Sequence, residues 1–299
     1  MTASSEKRSI LITGCSEGGS GNALALAFAS QGMRVFATAR SLHTLTNLEA
    51  NGIETLVLDV TNPDSITSLR DEIQKRTHGK LDILINNAGT MYEAPALEAD
   101  PSKVKNMFET NVFGLFNVVT AFTPLLLASV SGSKTAPVIV NVASVLARLP
   151  FPFSSAYNAS KAAVAAYSDT LRLELDPLGI RVVTLYMGEV STKLMSPDNI
   201  LFGPESIYVD LEGKVKERSR IHGEESISAT AFAQQVMSKV LNSNTNYIWK
   251  GSRALLIWFL NAIGPRKVFD SAMNQPVGLD NEVIRKKIRE RAEKLLVKS

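Results

Sequence analysis

The stretch Ser9-Ile-Leu-Ile-Thr-Gly-Cys-Ser-Glu-Gly-Gly-Ser-Gly21 decides how this chain is expected to fold. A short apolar run leads into a glycine-rich turn, and helix-forming residues follow it from Asn22 to Phe28. Glycines between a first strand and a first helix let the backbone approach a pyrophosphate, whose charge the helix N-terminus favours. A second apolar run, which ends at Ala39, completes a predicted nucleotide-binding unit.

Further apolar runs alternate with helical patterns along the chain. The predicted strands are Ser9–Thr13, Arg34–Ala39, Glu54–Asp59, Leu81–Asn86, Pro137–Ser144 and Arg181–Met187, and the predicted helices are Gly21–Gln31, Leu42–Ala50, Ser65–Arg76, Pro101–Leu127, Ala156–Leu178, Ser228–Asn242 and Asn281–Ser299. Strands separated by helices predict right-handed βαβ units and a parallel sheet. The apolar run at 83–85 and the run at 138–142, which is apolar except for Asn141, are typical of central strands. We therefore predict an α/β fold, a doubly wound parallel sheet of the Rossmann type.

The length of 299 residues suits one large domain with a substantial core. We predict a single nucleotide-binding and catalytic domain over residues 1–250 and a helical C-terminal extension over 251–299. Residues 193–225 are polar and interrupted by proline and glycine. A connection of this length is more typical of a lid or binding loop than of a simple turn.

Composition excludes several classes of function. The single Cys15 excludes a disulfide framework, and three scattered histidines give no metal-ligand spacing, so no metal site is predicted. The net charge of +3 is uneven, because residues 250–299 carry 11 Lys and Arg against 5 Asp and Glu. The main body lacks a basic surface or a reading motif, so no nucleic-acid partner is expected.

The apolar segment Ala254–Ile263 is about half the length of the ~20 residues that a membrane span requires, and no span is predicted. Three interpretations of this segment and of the basic tail remain open. In the preferred interpretation, both pack on the fold and cap the substrate cleft. In the second they form a subunit interface, and in the third they lie on an anionic membrane surface.

Candidate catalytic residues lie in Ser155-Ala-Tyr157-Asn-Ala-Ser-Lys161. Residues four apart on a helix share a face, so Lys161 is predicted beside Tyr157. An adjacent ammonium is expected to lower the pKa of the phenol and make it usable for acid–base catalysis. Ser144, which closes the apolar run from Val138, is the third candidate.

Candidate cofactor contacts follow the first four predicted strands. Arg40 lies at the end of the second strand, where an NAD site would place Asp or Glu. Because an Arg suits a 2′-phosphate, NADP(H) is predicted. Glu17, inside the glycine-rich turn, argues mildly against this prediction. Asp59 is a candidate for the adenine amino group, and Asn87 lies in the small-residue turn Asn86-Asn-Ala-Gly89. In the glycine-rich turn the candidates are Gly14, Ser16, Gly19 and Gly21.

Together these motifs resemble the short-chain dehydrogenase/reductases. The resemblance runs from Ser9 to about Ile200 and rests on six ordered features: the glycine-rich turn, Asp59, the turn at 86–89, Asn111 in Asn-Val-Phe-Gly, Ser144, and Tyr157 with Lys161. It implies an oxidoreductase in which Tyr157 donates a proton to a carbonyl oxygen that Ser144 orients. It also implies that Lys161 holds the nicotinamide ribose, that Asn111 supports a water feeding protons through Lys161, and that a dimer or tetramer forms.

Two departures from the family pattern stand out. The glycine-rich turn is one residue longer than usual, so Gly19 and Gly21 are expected in the second and third glycine roles. The usual Pro-Gly after the sixth strand is Met187-Gly188, which is expected to loosen the wall beside the nicotinamide. Val190 and Thr192 remain as the contacts that the resemblance implies for the carboxamide.

The C-terminal third resembles a fungal branch of the family that includes 1-acyldihydroxyacetone-phosphate reductase. The similar segments are Phe202–Tyr208, Trp249–Arg253 and Pro276–Asp280. This branch implies NADPH-dependent reduction of a bulky apolar or lipid-like ketone, in lipid metabolism, by a protein that is cytoplasmic or peripheral on the endoplasmic reticulum or lipid droplets. A ketoreductase of fungal secondary metabolism, a physiological alcohol oxidation, and a non-redox scaffold or cyclase are the alternatives.

Overall fold

A seven-stranded parallel sheet forms the centre of the computed structural model, which describes residues 7–131, 135–194 and 196–298. Its strands are β1 (Ser9–Ile12), β2 (Arg34–Ala39), β3 (Glu54–Val57), β4 (Ile83–Asn86), β5 (Val138–Ser144), β6 (Arg181–Met187) and β9 (Tyr247–Lys250), and β7 (Val190–Ser191) pairs with β8 (Ile227–Ser228) apart from it. The strand order β3-β2-β1-β4-β5-β6-β9 reverses direction between β1 and β4. Such a reversal leaves a crevice at the carboxyl ends of the strands, where ligands of open α/β sheets bind.

Helices cover both faces of the sheet, which confirms the predicted doubly wound fold. They are α1 (Ser20–Ser30), α2 (Thr46–Glu49), α3 (Pro63–Arg76), α4 (Pro101–Phe108), α5 (Gly114–Val130), α6 (Ser155–Leu175), α7 (Glu212–Glu225), α8 (Ala229–Asn242), α9 (Ala254–Ile263), α10 (Asp270–Asn274) and α11 (Glu282–Lys298). Phe28 of α1 and Phe232 of α8 are buried on one face of the sheet. Ile73 of α3, Phe122 of α5 and Val164 of α6 are buried on the other face.

Several elements differ from their sequence-based predictions. The edge strand β9 was not predicted, because it has only four residues, of which Ile248 alone is fully buried. The helix predicted over 42–50 is a 3-10 turn, Leu42–Thr44, followed by the short α2. The single helix predicted over 101–127 is divided by a π turn, Glu109–Phe113.

Another difference lies in the segment predicted as a loop over 193–225, which contains the fourteen-residue helix α7. Its sequence is mostly charged and contains two glycines, so it shows no apolar stripe. Val215, Arg218 and Ser219 are its buried residues, and two of these three are polar.

The C-terminal helices pack beside the connection 145–154 between β5 and α6. Ala254 and Ile257 of α9 are buried with Val145 and Leu149 of this connection. Val277 and α11 belong to a second cluster, which Phe153 of the same connection joins. The tail therefore packs on the fold, whereas capping of the cleft, a subunit interface and membrane contact stay predictions.

One described helical run, Pro101–Val130, is long and apolar enough to cross a membrane by length and composition. Half of its apolar window is buried inside the protein. Leu115, Val118 and Phe122 of this run contribute to the core on one face of the sheet. A core helix passes the same test of length and composition, so the run is weak evidence for a span.

Candidate active site

The glycine-rich turn between β1 and α1 leaves no room for side chains at two positions. A Cβ on Gly14, whose φ is +73°, would lie 2.7 Å from Cα of Ala88, and a Cβ on Gly21 would lie 2.4 Å from the carbonyl oxygen of Gly14. Gly18 has a φ of +81°, a conformation that favours glycine, whereas Gly19 has an ordinary extended backbone and precedes α1. The positive φ that favours glycine therefore occurs at Gly18, which was not among the candidates, and not at Gly19.

Asn87 connects the glycine-rich turn to the end of β4. Its Nδ2 donates to the carbonyl oxygens of Thr13 (2.9 Å) and Gly14 (3.0 Å), and its Oδ1 accepts from the hydroxyl of Ser20 (2.8 Å). The Thr13 hydroxyl accepts from the backbone N–H groups of Asn87 (3.0 Å) and Ala88 (2.9 Å). The turn is thus held against β4. Thr13 and Ser20 were not predicted to take part.

A cleft of about 600 Å³ opens at the carboxyl ends of the strands, where the strand order reverses. Most predicted site residues line it: Gly14, Ser16, Gly19, Arg40, Asp59, Asn87, Tyr157, Lys161 and Thr192. Gly21 lies against the backbone of Gly14, and the Val190 side chain is buried in the core with Phe232. A glycine cradle that a Cβ would fill, followed by a helix N-terminus, fits the diphosphate of a dinucleotide.

Arg40 and Asp59 lie together at the end of the cleft beyond β2 and β3. Asp59 Oδ1 accepts hydrogen bonds from the Thr61 hydroxyl (2.7 Å) and from the Thr61 backbone N–H (2.9 Å). These hydrogen bonds, assisted by the positive charge of Arg40, hold the pKa of Asp59 below its ordinary value. Arg40 is exposed and lines the cleft together with Glu17, so both are accessible to a ligand.

The three catalytic candidates are buried and meet beside the cleft. Ser144 ends β5, and its hydroxyl accepts from the backbone N–H of Leu146 (3.1 Å) and interacts with the Tyr157 hydroxyl. Tyr157 and Lys161 lie on the same face of α6, and the Lys161 Nζ is 5.8 Å from the centre of the Tyr157 ring. Lys161 Nζ donates to the carbonyl oxygen of Val142 (2.9 Å).

Burial decides the ionisation of Tyr157 and Lys161. It raises the pKa of Tyr157 to about 12, against the hydrogen bond from Ser144, and Glu93 raises this pKa further. Burial also lowers the pKa of Lys161 to about 8. Contrary to the expectation that Lys161 makes the phenol acidic, the pKa of Tyr157 is raised, because burial disfavours the phenolate.

Asn111 lies in the π turn between α4 and α5 and is buried. Its Nδ2 donates to the Thr90 carbonyl oxygen (2.9 Å) and to the Ser160 hydroxyl (3.1 Å), and its Oδ1 accepts from the Thr90 N–H (2.8 Å). A Cβ on Gly89 would lie 3.3 Å from Asn111 Oδ1 and 3.6 Å from Lys161 Nζ. Asn111 therefore fixes the connection after β4 beside Lys161.

A buried ion pair near Tyr157 was missed. Glu93, after β4, pairs with Arg218 of α7 and accepts from the Ser154 hydroxyl (2.9 Å). The Arg218 guanidinium lies 4.0 Å from the centre of the Phe151 ring and donates to the Pro152 carbonyl oxygen (3.1 Å). The pair joins α7 to the connection that precedes Tyr157. No motif or spacing in the sequence indicated it, since its partners are 125 residues apart.

Backbone hydrogen bonds hold the segment that follows β6, although this segment lacks the usual proline. The Gly188 N–H donates to the Lys250 carbonyl oxygen (2.7 Å), and the Ser252 N–H donates to the Glu189 carbonyl oxygen (2.9 Å). A Cβ on Gly251 would lie 2.8 Å from the Gly188 backbone, so these two glycines allow close approach. The expected loosening is not seen, because the turn between β9 and α9 holds this segment.

Comparison with known proteins identifies the family. The model of the short chain dehydrogenase family matches residues 8–200. The chain belongs to the short-chain dehydrogenases. The match spans β1 to the start of the polar segment after β7, and it includes every candidate catalytic residue named above.

Relatives of this short-chain dehydrogenase extend the similarity beyond the family model. The short-chain dehydrogenase srdE of Neurospora crassa is 37% identical over 87% of this chain and 88% of its own length. The NADPH-dependent 1-acyldihydroxyacetone phosphate reductase of Schizosaccharomyces pombe is 46% identical over 62% of this chain and 61% of its own length. A short chain dehydrogenase from Burkholderia cenocepacia, solved in complex with NADP, is 25% identical, with a TM-score of 0.69 over 90% of this chain and 98% of its own.

Proposed function

We propose that this short-chain dehydrogenase is an NADPH-dependent reductase that converts a ketone on a bulky apolar or lipid-like substrate into a secondary alcohol. The observation that carries the proposal is the buried group of Ser144, Tyr157 and Lys161, which opens on a glycine-cradled cleft. The reductase of Schizosaccharomyces pombe, whose name specifies NADPH, supports the direction and the cofactor.

The chain's own residues supply the proton and the orientation. When bound, the reduced nicotinamide supplies the hydride that reduces the carbonyl carbon. Tyr157, whose pKa of about 12 keeps it protonated at neutral pH, donates its proton to the carbonyl oxygen. Ser144 hydrogen-bonds the same oxygen and fixes its direction. Lys161 would hold the ribose hydroxyls of the bound cofactor, and Asn111 would support a water that returns protons through Lys161.

The cofactor assignment rests on the far end of the cleft. We assign the 2′-phosphate to Arg40, the adenine amino group to Asp59 and the adjacent ribose to Asn87. Gly14, Ser16, Gly19 and Gly21 would hold the diphosphate. Thr192 and the backbone of Val190 would meet the carboxamide. Apart from Gly21 and Val190, these residues line one continuous cleft.

An apolar substrate is supported by apolar side chains in the cleft that Tyr157 also lines. Met91, Met187 and Leu194 line the cleft together with Tyr157. An apolar ketone would be desolvated there, and the fixed hydroxyl groups would act in a low-dielectric site. We also propose a lid role for the segment 193–225, a dimer or tetramer, and a cytoplasmic enzyme that touches the endoplasmic reticulum or lipid droplets.

A substrate screen with isotopically labelled cofactor tests this proposal. NADPH carrying deuterium at nicotinamide C4 is supplied with acyl-dihydroxyacetone phosphate, sterol ketones and polyketide ketones. We expect deuterium on the carbinol carbon of at least one product, with NADH a poorer donor than NADPH. Transfer to a polyketide ketone alone would favour a role in secondary metabolism. Absence of transfer to every ketone would favour a non-redox function.

A further inference from the structure

Helix α9 buries one side in the protein and exposes an apolar side to solvent. Ala254 and Ile257 are buried against Val145 and Leu149 of the connection that follows Ser144. The outward side chains are large and apolar: Leu255 (63% exposed), Leu256 (57%), Trp258 (48%), Phe259 (50%) and Ile263 (68%). A large exposed apolar patch on a soluble protein usually marks an interaction surface.

The charge around α9 indicates what this surface fits. Residues 250–270, which contain α9, carry four basic residues against one acidic residue, a net charge of +3. Lys250 and Arg253 precede α9, and Lys267 is exposed just after the helix. Arg253 forms ion pairs with Glu189 and with Glu225. Helices that lie on anionic lipid carry leucine, tryptophan and phenylalanine on one face and basic residues beside it.

The basic tail helix α11 is not the docking surface. Ile284 and Ile288 pack against the cluster that contains Phe153 and Leu211, and Arg291 donates to Asp210 (2.9 Å). A chain that ended at Leu279 would lose this packing and uncover a buried cluster. Its binding to lipid would therefore report damage to the fold as well as any docking. The apolar face of α9, in contrast, can be changed without touching the core.

We propose that α9 docks on an anionic lipid surface with its side chains Leu255, Leu256, Trp258, Phe259 and Ile263. Because α9 packs on Val145 and Leu149, which follow Ser144, docking would bring the connection between Ser144 and Tyr157 close to the bilayer. An apolar ketone would then pass from lipid to Tyr157 without crossing water. This inference deepens the proposed membrane contact and rests on the proposed apolar substrate.

Vesicle binding by the full-length protein tests the docking. Wild type and Leu255→Gln/Leu256→Gln are compared on phosphatidylcholine vesicles with and without about 30% phosphatidylserine. The matched control is Leu97→Gln/Leu173→Gln, which places the same substitutions at leucines that are 82% and 63% exposed elsewhere. We expect binding that requires phosphatidylserine and is at least about tenfold weaker in the α9 variant only. Brominated lipid should quench the fluorescence of wild type but not of Trp258→Phe.

Two results would overturn the docking. The first is equal vesicle binding by the α9 variant and the control variant. The second is a wild-type protein that does not bind vesicles but forms a dimer, which dissociates in the α9 variant. The second result would assign the face to another copy of this chain. Turnover of a water-soluble ketone separates this inference from the proposed function. Retained turnover without vesicle binding contradicts the docking alone, and vesicle binding without any turnover contradicts the reductase alone.

Discussion

At the scale of single residues, Tyr157 depends on two opposing effects. The hydroxyl of Ser144 favours the phenolate, whereas burial and Glu93 disfavour it, and the pKa rises to about 12. A phenol of this kind keeps its proton at neutral pH, which is the form that a proton donor needs. The helical spacing of Tyr157 and Lys161 was predictable from sequence. The sign of the pKa shift was not, because it depends on how much water the fold excludes.

We expect a single side chain, Arg40, to decide the cofactor preference. Arg40→Asp should weaken NADPH and favour NADH, since an Asp repels the 2′-phosphate and accepts from a 2′-hydroxyl. A hydrogen bond to a charged group contributes about 1.5–3 kcal/mol, so we expect kcat/KM for NADPH to fall about 10- to 100-fold. Arg70→Asp, which changes an exposed Arg on α3, is the control. If the ratio of kcat/KM for NADPH to kcat/KM for NADH is unchanged, Arg40 is a solvated side chain that does not select the cofactor.

At the scale of elements, Glu93 and Arg218 join α7 to the wall of the active site. Their side chains are almost completely buried, and Arg218 also stacks on Phe151. Burial raises the pKa of Glu93, and the positive charge of Arg218 acts against this. The carboxylate therefore depends on its partner.

Removing the cation should be costly. Arg218→Met leaves a buried carboxylate unpaired, so we expect the free energy of unfolding in urea to fall by about 3–5 kcal/mol. The double variant Glu93→Gln/Arg218→Met should recover part of this loss, because no buried charge remains. Arg220→Met, on the same helix but in exposed ion pairs with Glu217 and Glu224, should cost at most about 1 kcal/mol. Equal losses at 218 and 220 would mean that the buried pair has no special role.

The elements that sequence predicted well are those with a strong apolar pattern. β2 and β6 match their predicted bounds, and β5 and α1 differ by one residue. α7 was missed because its buried face includes Arg218 and Ser219, which pair with distant parts of the chain. β9 was missed because an edge strand needs little apolar sequence. Contacts between distant segments are not visible in local patterns.

At the scale of the whole molecule, the C-terminal third packs beside the connection that leads from Ser144 to Tyr157. The turn between β9 and α9 holds the segment 188–189. α9 packs on the connection after Ser144, and α11 packs on the cluster that contains Phe153. The candidate site of the first 200 residues was readable from motifs. The arrangement of the rest was not, because it depends on packing between segments with weak patterns.

The most direct test of the reductase is the proton donor itself. Single-turnover reduction of the best ketone of the screen is measured for Tyr157→Phe and for Tyr167→Phe, which removes a hydroxyl from the same helix. We expect Tyr157→Phe to bind NADPH about as well as wild type while its rate falls by about 10² to 10⁴. Tyr167→Phe should react at close to the wild-type rate. A Tyr157→Phe protein that reduces the ketone as fast as Tyr167→Phe would contradict the assignment of Tyr157 as the proton donor.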